Sequence, residues 1–148
     1  MEAVPGLWPV DEPCSDADYD DQFVAPASKA TDRSAEQWMR DSLEGAPVAL
    51  RKFVTIGWRL VLGFRPHRDN AIFGWPIVAK THEYVVLEQQ SRLFHAALLL
   101  RTHDGEVTWA TRVVYKTKTS KAVWAVVGIL HRRISPYVLG RAARRSAR

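Results

Sequence analysis

The sequence predicts an α+β domain: one strand and two short helices, then a run of antiparallel strands, then a long closing helix. Three observations carry this. From Ile72 the apolar residues recur at the two-residue period of strands. Asp104-Gly105 lies between two such segments, as a two-residue type I′ hairpin turn requires. After Ser120 an apolar run, Ala122 to Leu130, has helical length and texture.

Taken in order, Tyr19 to Ala25 reads as a first strand ending at Pro26. Thr31 or Asp32 can N-cap a helix running through Trp38, Met39 and Leu43 to Gly45. Pro47 suits the first turn of a second helix. In that helix Leu50, Phe53, Val54, Gly57, Trp58, Val61 and Leu62 recur at helical spacing, opposite Arg51, Lys52, Thr55 and Arg59. Gly63 is its stop. The strand candidates are Ile72–Ala79, Tyr84–Gln90, Arg92–Thr102 and Glu106–Thr117, with Pro76 suited to an edge strand or a bulge.

The hairpin turn fixes a register. Leu100 faces Trp109, Leu98 faces Thr111, Ala96 faces Val113, and Phe94 faces Tyr115. Alternation puts these four pairs on one nearly apolar face. The other face carries Arg101, Arg112, His95 and Lys116 with most of the charge, so the apolar side is expected to be the buried one. Ser120 can cap the last helix, whose first half is apolar all round, as in an enclosed helix. Trp124, Val127, Gly128 and His131 share one side of it. Pro136 is expected to kink it or to begin a second segment capped by Ser135.

The chain has 148 residues, 47% hydrophobic and 25% charged, which suits one globular domain. Residues 1–18 read as an irregular acidic leader with several prolines and residues 19–148 as the domain; Trp8 can dock on the body or on a partner. No apolar stretch approaches the roughly 20 residues of a bilayer span, and an acidic start replaces the basic region of a secretory signal, so a cytoplasmic protein is expected. The net charge of +5 is split. Residues 1–28 carry seven acids and no Lys or Arg, for −7, and the remainder therefore carries +12. The Arg-rich terminus, with Arg141, Arg144 and Arg145, is expected at the surface. It suits either neutralisation by the acidic leader or peripheral contact with anionic lipid. No nucleic-acid motif accompanies the arginines, and no nucleic-acid partner is expected.

The segments DQFVAP, TDRSAEQWMRDSL, PVALRKFVTIGWRLVLGF, FGWPIVAKTHEYVVLEQQ, LRTHDGEVTWATRVVY and WAVVGILHRRISPYVLGRAARR span roughly residues 19 to 146. In order and texture they resemble an uncharacterised family, seen mainly in actinobacteria, of the START and polyketide cyclase/dehydrase superfamily. The resemblance implies the helix-grip fold, a curved antiparallel sheet of about five to seven strands around the C-terminal helix. It also implies a cavity between them that holds lipids, polyketides or other apolar molecules. About five strands are countable where seven is common, so the cavity is expected to be small or absent.

The residues expected to line it, as ligand-binding positions, are Phe94, Leu98, Trp109, Thr111, Tyr115, Trp124 and His131. Thr111, Tyr115 and His131 would supply the few polar groups of a mostly apolar site. Gly128 would open space where the helix meets the sheet. No Asp or Glu is expected on the inner face, and Glu88 should point outward near Lys116. His131 therefore lacks the acidic partner that acid–base work needs, and no catalytic residue is assigned. There is no G-x-S-x-G elbow, no H-x-x-x-H or HExxH pair, and no G-x-G-x-x-G or P-loop pattern, so no metal or cofactor is expected. The single Cys14 is read as an incidental thiol. An apolar small molecule is the expected partner, with a cyclase/dehydrase-like enzyme or an interaction domain as alternatives.

Overall fold

Alternation along the central hairpin sets the architecture. In the computed structural model, which describes residues 8, 9 and 14–146, β5 (Phe94–His103) and β6 (Glu106–Tyr115) pair in the register read from the turn, from His103 opposite Glu106 to Phe94 opposite Tyr115. The turn itself differs from expectation. Only Gly105 has positive φ (81°), the pattern of type II, whereas type I′ needs positive φ at Asp104 as well. Register survives because either turn closes the strands with two residues.

Four further strands complete a six-stranded antiparallel sheet, curved in the helix-grip manner. β4 (Tyr84–Gln90) follows β5, and β3 (Trp75–Lys80) with the two-residue β2 (Ala71–Ile72) forms one edge. The single strand expected over Ile72–Ala79 is thus two. A turn at Phe73 (φ 49°) and Gly74 (φ 87°) folds the chain back on itself. Gly74 is required there, since a Cβ would come 3.0 Å from Pro66 Cβ. Pro76 lies near this edge as expected, opposite Ala71, and a register shift between Ile77 and Ala79 follows it. At the other edge β1 (Tyr19–Pro26) pairs with β6, setting Asp21 opposite Thr111 and Phe23 opposite Trp109.

Three helices lie against the concave face. α1 (Ala35–Glu44) is capped by Ser34, not by Thr31 or Asp32, which belong to a preceding 3₁₀ turn (Ala30–Asp32). Ser34 Oγ accepts from the Gln37 amide and the Gln37 side chain accepts from the Ser34 amide, a complete capping box. Trp38 and Met39 of α1 are wholly buried, and Trp38 Nε1 donates to the Ala30 carbonyl at 2.8 Å. α2 (Val48–Ile56) runs into a π-turn (Gly57–Val61), and neither buries a residue completely. α3 (Lys118–Ser146) starts with Thr117 and Ser120 exchanging amide and hydroxyl hydrogen bonds, and it passes Pro136 as a single helix. The expected second segment is absent, and the Ser135 hydroxyl meets His131 Nδ1 (3.2 Å) within the continuous helix.

Two expectations about surfaces are overturned. α3 is not enclosed all round: Val126 is 66% exposed, with Ile129 and Leu130 also exposed. The convex sheet face is not open either. Trp8 and Cys14 cover Val86, Ala97, Leu99 and Ala110 there, with the Trp8 ring 4.4 Å from the Arg112 guanidinium. The leader therefore supplies a second, small core, while Glu2, Asp11 and Glu12 lie outside the described residues. Burial pushes the Cys14 thiol up to about 12, aided by the nearby Glu88 charge, which leaves it an unreactive core side chain.

The cap assignment separates two substitutions. Ser34→Ala is expected to lose about 1 kcal/mol of stability, while Thr31→Ala stays within about 0.5 kcal/mol, both read from urea denaturation midpoints.

Candidate functional site

The apolar hairpin face is the floor of a cavity of about 170 Å³. Phe94, Ala96, Leu98, Trp109, Thr111 and Val113 rise from the sheet, because alternation sends these side chains to one face. α3 forms one wall with Trp124, Val127, His131, Ile134, Ser135 and Val138. The facing wall is α2 and the π-turn, through Leu50, Arg51, Val54 and Trp58, joined by Phe73 and Trp75 from the β2–β3 turn. Phe53, Val61 and Leu130 both line the cavity and stand exposed, so they form its rim. Aromatic rings close both ends. Trp75 packs against Trp58 and Phe64 at centroid distances of 5.4 and 5.1 Å, and Trp124 packs against Tyr19 and Phe94 at 5.1 and 5.9 Å.

Polar groups meet the cavity at one place on the α3 wall. His131 Nε2 stands 3.0 Å from Asp21 Oδ2, close but off the hydrogen-bonding angle, and Nδ1 meets Ser135 Oγ. The Tyr19 hydroxyl donates to the same Asp21 oxygen. Burial, and after it this bond to Asp21, raises the Tyr19 hydroxyl well above the ordinary tyrosine range. Asp21 Oδ1 and Thr111 Oγ1, from residues opposite each other in the β1–β6 register, are buried without a hydrogen-bond partner. Unpaired buried polar atoms are uncommon, and two so close mark a centre able to accept a further polar group. Among the lining residues Arg51 alone bears a permanent charge, and its buried Nε makes no hydrogen bond.

Six of the seven expected lining residues line this cavity: Phe94, Leu98, Trp109, Thr111, Trp124 and His131. Tyr115 does not. It packs edge-on against Phe94 at 6.3 Å beyond the end of the cavity, its hydroxyl raised by burial and then by the Asp18 charge. Gly128 opens no space for a ligand, because a Cβ there would stand 3.1 Å from Trp124 Nε1 and from Arg132 Nη1. Glu88 points outward as expected, but its nearest base is His95 at 3.5 Å, while Lys116 bonds Gln90. The expectation of no acid beside the inner face is overturned by Asp21, which is 7% exposed. The first strand is legible in the sequence, but nothing local says which strand it joins. The α2 wall was legible as an apolar helical stripe without any sign that it would face this cavity.

Of the three arginines set aside for anionic lipid, two have intramolecular work. Arg141 and Arg145 donate to the Gly45 carbonyl at the end of α1, and Arg145 pairs with Asp41 at 3.1 Å. Among the described residues no helix is long and apolar enough to cross a membrane, and no cluster of His, Cys, Asp and Glu suits a metal ion. Comparison with protein-family models, with curated proteins and with solved structures finds no match to the chain.

Asp21→Ala strips the partner from the Tyr19 hydroxyl and the His131 edge, and is expected to cost about 1–3 kcal/mol. Asp16→Ala, at an exposed position, should stay within about 0.5 kcal/mol. Equal midpoints for both variants in chemical denaturation would place Asp21 outside the core.

Proposed function

We propose that the protein binds a small apolar molecule in the cavity between sheet and α3. The observation that carries this reading is the cavity itself. It has about 170 Å³ of open space, walled by aromatic and aliphatic side chains, with a few polar groups from Arg51, Thr111, the His131–Ser135 pair and the indole N–H groups of the lining tryptophans. Small-molecule sites have this makeup, and removing apolar surface from water contributes roughly 25 cal/mol per Å². An apolar cavity of about 150 Å³ accommodates benzene, so the enclosed part of the ligand has the size of one or two fused rings. With Arg51 as the only permanent charge on the wall, a neutral or anionic molecule is favoured and a cationic one is not. The helix-grip architecture, read alongside the sequence resemblance to the START and cyclase/dehydrase superfamily, supports the same class of ligand. A cytoplasmic setting is part of this proposal, supported by the lone Cys14 being a buried free thiol.

A second reading, proton transfer to or from the bound molecule, is favoured by one observation. His131 lines the cavity with Asp21 Oδ2 3.0 Å from its Nε2. The other ring nitrogen, Nδ1, meets the Ser135 hydroxyl, which also lines the cavity, so a proton would pass between the ring and the bound molecule by way of Ser135. Under this reading His131→Gln abolishes turnover while leaving ligand affinity within about threefold.

Binding is measured by tryptophan fluorescence and native mass spectrometry with two probes, naphthalene and 1-naphthoate. Both are expected to bind and to perturb the Trp124 and Trp109 emission. Ala96→Phe, which fills the floor, should weaken both at least about tenfold, and Arg51→Ala should weaken 1-naphthoate alone, a charge contact of about 1–3 kcal/mol. Failure of both probes to bind the wild-type chain would overturn the cavity reading.

A further inference from the structure

The cavity mouth is framed by apolar side chains that the fold leaves in water. Phe53, Ile56, Leu60 and Val61 are 52%, 56%, 76% and 46% exposed on α2 and the π-turn. Across the opening Val126, Ile129 and Leu130 are 66%, 48% and 43% exposed on α3. Phe53, Val61 and Leu130 belong to the cavity lining as well, so this patch is continuous with the interior. Exposed apolar residues scattered singly need no explanation, but a set gathered on the two elements around one opening does.

The charge on the two elements that carry the patch has one sign. No Asp or Glu occurs between Glu44 and Asp69, a stretch holding Arg51, Lys52, Arg59, Arg65 and Arg68, and none follows Glu106. Lys52 and Arg59 are exposed beside Ile56 and Leu60. On α3 Lys118, Val126, Ile129 and Arg133 fall on one stripe by helical spacing, with both basic residues exposed. The acids that do meet α3 are on its other sides: Asp21 at His131, and Asp41 at Arg145.

We propose that this rim is a docking face for an anionic lipid bilayer. The apolar side chains of the π-turn and of α3 enter the headgroup boundary, and the surrounding Lys and Arg contact the lipid phosphates. Docked in this way, the cavity opens toward the acyl chains. The Arg-rich terminus is not the contact, since Arg141 and Arg145 are engaged on α1. The geometry favours a bilayer over a protein partner because the patch is divided between two helices around an opening, and its charge is uniformly basic.

The test is co-sedimentation of the full chain with 100-nm vesicles, either phosphatidylcholine alone or phosphatidylcholine with 30% phosphatidylglycerol. Binding to the anionic vesicles is expected, at least about fivefold above the neutral ones, and falling as NaCl rises from 0.1 to 0.5 M. Phe53→Asp with Leu60→Asp should reduce it at least about tenfold, and Val126→Asp with Ile129→Asp, on the opposite helix, should do the same. All four positions are exposed, and unchanged melting temperatures confirm that the folds are intact. Arg144→Glu should leave binding within about twofold. Lack of binding to anionic vesicles overturns the proposal, and so does binding that survives both apolar pairs. If these residues instead drive self-association at micromolar concentration without vesicle binding, the face is a protein contact and the lipid assignment fails. Vesicle binding that persists in Ala96→Phe separates this proposal from the cavity reading, on which it does not rest.

Discussion

The pairing of β1 with β6 is the constraint on which the rest of the structure depends. It joins residues about ninety positions apart, and closing so long a loop costs entropy that local contacts cannot offset. The returns are spread over eight residue pairs, and Asp18 extends them by accepting the Tyr115 amide at 2.7 Å. Only this pairing places Tyr19 and Phe23 beneath α3, where their rings meet His131 at 5.9 and 6.3 Å. It also puts the Asp21 carboxylate behind His131 and opposite Thr111. Were β1 displaced, α3 would lose its floor on that side and the cavity would lose its polar end.

What the sequence made legible follows the range of the interactions. The β5–β6 register was readable because a two-residue turn and strict alternation are local facts; four of the lining residues, Phe94, Leu98, Trp109 and Thr111, follow from it, while Trp124 and His131 follow from the helical spacing of α3. The β2–β3 turn was not readable, since Phe73 in a left-handed conformation belongs to no common hairpin signal and is held by its packing on Trp58. The α1 cap was missed by two or three residues because Thr31, Asp32 and Ser34 are all good caps. Gln37 reaching back to Ser34 decides among them. Asp21 was hidden for a different reason. Its strand was recognised, but the partner strand lies at the far end of the chain, and nothing in YDDQFVA says which alternate residues face inward.

The charge split acquires a physical form. The acids of β1 serve both sides of the sheet: Asp20 stands 3.5 Å from Arg112 on the convex face, and Asp21 meets His131 on the concave one. The Arg112 guanidinium in turn lies against Trp8, so this arginine links Asp20 of β1 to the leader. Of the arginines at the end of the last helix, Arg145 is neutralised by Asp41 of α1, while Asp21 of β1 meets the ring of His131. Exposed basic residues stand on the outer sides of both helices beside the cavity, Lys52 and Arg59 on α2 and its π-turn and Lys118 and Arg133 on α3.

α2 and the π-turn are the least economical part of the fold. Their residues are apolar enough to fill a core, yet none is fully buried, whereas α1, of similar length, buries Trp38 and Met39 completely. An amphipathic helix ordinarily presses its apolar face onto the sheet until the space closes. Here the widened turn from Gly57 to Val61 and the tether of the Leu62 carbonyl to Ser91 Oγ (2.7 Å) hold the chain short of that, and the cavity is the space left. The cavity is consequently closed by Trp109, Thr111 and Trp124 at its inner end but not at the rim, where Phe53, Val61 and Leu130 stand in solvent. On the proposed reading, the 170 Å³ of the cavity would limit only the enclosed part of a ligand, and a longer apolar chain would extend outward between α2 and α3.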